Sequence, residues 1–108
     1  MREELGSIKR ATFGFGGYQD AEIGLSLTLG GTSWGVGDFK GAWAIDRSEH
    51  ARWSEQDRRE GWAEAVHLLR DTLKAAKKQH VADLAGTPII ATFDGNRLVS
   101  WRVLNEVL

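Results

Sequence analysis

A chain of 108 residues is long enough to enclose one hydrophobic core and too short for two, and its 42% apolar and 27% charged residues are those of an ordinary globular domain. Its formal net charge of -1 excludes a general electrostatic pull towards duplex nucleic acid. The absence of cysteine excludes disulfides, thiolate nucleophiles and cysteine-held zinc together.

Two excesses carry information: 13 glycines, and five tryptophans against one tyrosine. The glycines crowd between Gly6 and Gly41, so the first part of the chain differs in character from the rest. The opening Met1-Arg2-Glu3-Glu4-Leu5-Gly6 carries charge where a secretory leader needs an apolar run, and no stretch approaches the length of a membrane span. No membrane partner is expected, and the cytoplasm is the expected compartment.

From residue 7 to about residue 18, Lys9, Ala11, Phe13 and Phe15 alternate with Ile8, Arg10, Thr12 and Gly14, which predicts a strand. Gly16-Gly17 interrupts it, and Tyr18-Gln19-Asp20 reads as a turn. The second strand has the cleanest period, with Ile23, Leu25, Leu27 and Leu29 on one face and Glu22, Gly24, Ser26 and Thr28 on the other. Gly30-Gly31 closes it as a hairpin turn, and a third strand from residue 33 to about residue 45 is bent or bulged by its glycines. A polar joint, residues 46–52, leads to a helix capped by Ser54, with Glu55 and Asp57 in its first turn and Trp53 placed as a hydrophobic staple. Trp62, Ala65, Val66, Leu69, Leu73 and Ala76 make an apolar stripe for packing on the sheet, and Arg58, Glu64, Asp71, Lys74 and Lys78 make the opposite face. Residues 80–85 form one short turn, stopped by Gly86 and Pro88. Residues 88–93 and 97–104 are two more strands, joined by the hairpin signal Asp94-Gly95-Asn96. The expected fold is a single α+β domain over residues 1–108: an antiparallel sheet of about five strands, ordered β-β-β-α-β-β, with one long helix packed on one face. Such a sheet keeps one face open, and the flat polar strip Gly24-Ser26-Thr28 suits a homo-oligomer unless the second hairpin covers it.

Chemistry is harder to find. No G-x-S-x-G elbow exists. Asp46, Glu49 and His50 lack the rigid i, i+4 spacing of a metal site, so neither metal nor cofactor is expected. Asp20 and Asp38 are the carboxylate pair to weigh for a small phosphoesterase or glycosidase, although turn aspartates commonly serve local hydrogen bonding. The stretch from Ser33 to Trp43 instead joins two indoles, three glycines, a carboxylate and an ammonium, a pattern for binding rather than catalysis. The rings of Phe13, Phe15, Tyr18, Trp34 and Trp43 can stack a base, at roughly 1–3 kcal/mol each. Glycine amides can donate to phosphate, arginine grips it as a fork, and a carboxylate can accept from a ribose hydroxyl. The candidate ligand-binding set is Phe15, Tyr18, Trp34, Gly35, Gly37, Asp38, Lys40 and Arg102. The competing reading makes the glycines bulges or turns and places one of Trp34 and Trp43 under the helix.

The phrases Phe13-Gly14-Phe15-Gly16-Gly17-Tyr18, Trp34-Gly35-Val36-Gly37-Asp38-Phe39-Lys40-Gly41 and Val99-Ser100-Trp101-Arg102-Val103-Leu104 resemble small accessory proteins of tailed bacteriophages. The resemblance runs along most of the chain and carries over no activity and no site residue. It implies a setting, the cytoplasm of an infected bacterium, in which small proteins bind and neutralise host factors. The expected function is therefore non-catalytic: sequestration of a nucleotide-derived signal of host immunity. The alternative is a protein-binding inhibitor of a host defence enzyme or of CRISPR machinery, acting through an exposed strand edge or the charged helix face. A nucleotide-like small molecule or a host defence protein is the partner these readings imply.

Overall fold

In the computed structural model, which describes every residue from Met1 to Leu108, one long strand has different neighbours along its two halves. β1 (Arg2–Gly16) pairs through its first half with β4 (Pro88–Asp94), from Arg2 to Ser7. Its second half, from Ser7 to Gly16, pairs with β2 (Glu22–Gly30). β3 (Gly35–Trp43) adds to β2 and β5 (Arg97–Val103) adds to β4, giving one antiparallel sheet ordered β3-β2-β1-β4-β5. The single helix α1 (Glu55–Ala76) packs on one face, mainly against β3 and β2. The expected α+β fold with element order β-β-β-α-β-β is the fold observed.

The first strand begins five residues earlier than its alternation predicts, because Arg2, Glu3 and Glu4 hide the period under charge. Its alternation also changes. The register with β2 slips between Ile8 and Arg10, leaving Lys9 as the extra residue of a β-bulge. Sequence alternation put Lys9 on the face of Ala11, Phe13 and Phe15. The bulge puts Ile8 there instead, fully buried, and leaves Lys9 exposed. Burying an unpaired ammonium would cost far more than the slip.

Ile8 joins Leu25, Leu27 and Leu29 of β2, Ile89 of β4, Val103 of β5, Ala76 of α1 and Leu84 in one core. Leu84 lies in the short turn Val81–Leu84, where the sequence placed one. Each fully buried aliphatic side chain here contributes about 1.5–3 kcal/mol.

Ser54 begins the helix as its sequence predicts. The Asp57 N–H donates to Ser54 Oγ at 3.0 Å and the Ser54 N–H donates to Asp57 Oδ2 at 2.8 Å, a reciprocal capping box. The staple differs from the usual apolar pair. Trp53 meets Arg58, whose guanidinium carbon lies 4.9 Å from the Trp53 ring centre and 5.3 Å from that of Trp62. Arg58 also donates to the Ile45 carbonyl at 2.6 Å, and its side chain is only 14% exposed. Its assignment to the solvent face is therefore corrected. The buried line of α1 is Ala65, Thr72 and Ala76, while Trp62 and Val66 of the predicted stripe are 37% and 53% exposed. The apolar stripe is wider than the surface it covers.

Tight backbone approach shapes the sheet. Gly24 faces Gly41 across β2 and β3, and a methyl at position 24 would fall 2.5 Å from the Gly41 Cα and collide with the Lys40 carbonyl. Bare backbone there permits a strong curl. The two edge strands meet over the helix-facing side, where Trp101 Nε1 of β5 donates to Asp38 Oδ2 of β3 at 3.4 Å. Gly24→Ala is expected to destabilise the protein by about 1–3 kcal/mol, as overpacking does. Gly37→Ala, with open space around position 37, is expected to stay within about 0.5 kcal/mol of the parent. Chemical denaturation of both variants measures the contrast.

Candidate binding groove

The misfit between α1 and the sheet creates the most apolar concavity on the molecule. Phe13 and Phe15 of β1 and Ile23 of β2 floor it, Trp62, Ala65 and Val66 of α1 wall it, and Ala44 closes one end. The hollow holds about 470 Å³, and all seven lining residues are hydrophobic. Phe15 is 74% exposed and Phe13 39%, a large apolar surface for a chain of this size to leave in water. Val66 also borders a second hollow, shared with Leu69 and Leu73 and rimmed by Arg70, Lys74 and Lys78. Arg70 is paired with Asp71 at 2.9 Å, whereas Lys74 and Lys78 make no ion pair. Along the helix an apolar cleft thus gives way to a cationic one.

The residues singled out from sequence are spread over several places. Phe15 lines the groove, and Tyr18 stands exposed in the turn beyond it, its N–H donating to Glu22 Oε2 at 3.1 Å. Trp34 belongs to the turn before β3 and packs inward. Its ring meets Phe93 edge-on at 5.2 Å, and its Nε1 donates to the Leu5 carbonyl at 3.3 Å. It lies so close over Gly6 that a methyl there would sit 3.0 Å from the Gly30 carbonyl carbon and strike the indole. Trp43 stacks on Trp53 with centroids 6.2 Å apart. Asp38 and Lys40 share the helix-facing side of β3, Asp38 with Trp101 and Lys40 with Glu64 at 3.2 Å, while Gly35 and Gly37 alternate to the outer side. Arg102 of β5 grips Glu106 through two bonds of 3.0 Å. Only Phe15 of the eight lies in the groove.

The two aspartates weighed for acid–base work do not converge. Asp38 faces the helix, whereas Asp20 borders a polar hollow on the outer side with Arg10, Thr12, Ser26 and Thr28. The hairpin of β4 and β5 extends the sheet beyond β1 and does not cover the outer strip, where Gly24 is buried, Ser26 is half-buried beside the Phe39 ring and Thr28 is exposed.

Sequence reading missed Trp62, Val66, Ile23, Ala44 and Ala65 as site residues because an apolar stripe on a helix ordinarily means core. A usable signal was present. The helix offers bulky Trp62 and Val66 beside the small Ala65, so only the small residue can sit close on the sheet.

Arg102 carries a checkable electrostatic consequence. Its hydrogen bonds hold the Glu106 carboxyl below its ordinary 4.5, down to about 2. A depressed carboxyl favours the folded state above 4.5 and loses that contribution as pH falls towards about 2. An NMR titration should give a Glu106 midpoint near 2, and Arg102→Ala should return it towards 4.5. The turn Asn105–Val107 should loosen from β5 over the same interval. Compared with known proteins, the chain matches no family model, no curated protein and no solved structure.

Proposed function

We propose that this chain is a non-catalytic protein-binding module whose groove takes an apolar segment of a partner polypeptide flanked by acidic residues. The observation that carries the reading is the open lining of seven hydrophobic residues, which contains no nucleophile, acid or base. Exposed rings in a concave setting are the usual anchors of a protein interface. Charge complementarity supplies the flank: Lys74 and Lys78 stand free where the apolar cleft ends. The resemblance to tailed-phage accessory proteins supplies the setting, and a host defence protein is the partner that setting favours.

One observation favours the second reading, sequestration of a nucleotide-derived signal. A base stacked on Phe15 or Trp62 would direct its phosphates towards the cations at Arg70, Lys74 and Lys78. The groove offers a base no hydrogen-bonding partner among its lining residues, so the polypeptide reading stands first.

Calorimetric titration tests both readings with three probes: an aromatic peptide ending in aspartates, the same peptide ending in lysines, and a cyclic dinucleotide. The acidic peptide should bind, and the lysine version should not. Phe15→Ala and Val66→Asp should each weaken binding about tenfold or more while the thermal melt stays close to the parent's. Binding of the dinucleotide alone moves the protein to the second reading, and binding of none of the three overturns both.

A further inference from the structure

Past Ser7, β1 has a strand on only one side. On the other side the Ile8 N–H donates to the Thr87 carbonyl at 2.9 Å and the Ile8 carbonyl accepts from the Gly86 N–H at 2.7 Å, after which the turn Val81–Leu84 packs against β1 without any further backbone hydrogen bond to it. From Arg10 to Gly16 the outward backbone groups have no backbone partner within the molecule. They belong to Ala11, Phe13 and Phe15, because residues that share a face with Ile8 also share its hydrogen-bonding direction. Natural sheets blunt such edges with charge, proline or short length. The edge strand β3 carries Asp38 and Lys40, and β5 carries Arg97 and Arg102. The open stretch Ala11-Thr12-Phe13-Gly14-Phe15-Gly16 carries no charge and no proline.

We infer that this edge is completed by the same edge of a second copy, β1 against β1 in antiparallel register about a two-fold axis at Phe13. The residues are self-complementary in that register. Phe13 faces the second copy's Phe13, and Phe15 faces the small Ala11. On the outer side Thr12 faces Gly14 and Arg10 faces Gly16, so every bulky residue beside the axis meets a small one. Three hydrogen-bonded pairs exchange about six backbone bonds. The ends are complementary in charge as well. Lys9 and Arg10 lie at one end, Asp20 lies just past the other, and none of the three makes an ion pair within its own chain. Antiparallel pairing sets the cations of each copy beside the carboxylate of the other. This interface uses the edge of the sheet, not its outer polar strip.

The inference stands on the free edge and does not require the ligand proposed for the groove. It adds that the helix-facing sides of the two sheets run together. The two grooves then open onto one floor of phenylalanine rings between two helices, and each copy contributes rings to the other's site.

Sedimentation velocity on the full chain should show a dimer. Phe13→Lys sets two ammonium groups across the axis and should raise the dimer dissociation constant about tenfold or more with the circular dichroism unchanged. Arg10→Glu, at an exposed position, should weaken the dimer as well by facing Asp20 of the second copy. The chain has no cysteine, so a spin label on Thr12→Cys reports the register alone. It should show short-range dipolar broadening, and a label on Val99→Cys should show none. A monomer at all concentrations overturns the inference, as does a dimer that tolerates Phe13→Lys without broadening at position 12. Peptide binding by such a monomer would leave the groove reading intact, and a confirmed dimer that ignores all three probes would remove the groove reading alone.

Discussion

Because side chains alternate along a strand, the extra residue at Lys9 determines everything that β1 presents to the helix. Before the bulge, β1 serves the hairpin of β4 and β5. After it, β1 serves β2 and β3, and the two halves must bury the same side of the sheet. Without the slip, either Ile8 or the row Ala11, Phe13, Phe15 would face outward. The core and the groove floor are two results of that single irregularity.

The parts of the fold that were legible in the sequence are those specified locally. β2 alternates without a fault from Ile23 to Leu29, Asp94-Gly95-Asn96 marks its own hairpin, and Ser54 with Asp57 marks the start of a helix. The parts that were not legible are set by distant partners. Residues Arg2 to Gly6 form a strand only because β4 lies alongside them, and their charges conceal the period. Arg58 looks like a solvent residue until two indoles, contributed from either side of it in sequence, close over it.

The same distinction governs the site. The run from Trp34 to Trp43 has the composition of a binding loop, yet Trp34 is used to pack Gly6 and Phe93, and Asp38 and Lys40 tie β3 to β5 and to α1. Phe15 was legible as an aromatic free to meet a ligand because it lies beside glycines near a strand end. Trp62 and Val66 were not, since helical periodicity reports which residues are apolar and cannot report how much sheet lies beneath them. A site made by mismatch between two elements leaves no motif in either.

The clamp on Arg58 has a further consequence for the groove. One guanidinium holds the Ile45 carbonyl and the faces of Trp53 and Trp62, so the joint between sheet and helix and the wall of the groove are fixed by one side chain. The Trp62 indole also donates to the Ala42 carbonyl at 3.4 Å, which leaves it little rotational freedom. Much of the entropic penalty of ordering an aromatic wall is thereby met during folding rather than at the moment of contact. Under the proposed binding function, arrival of a ligand is limited by its own ordering, and a stiff ligand of matching shape gains most.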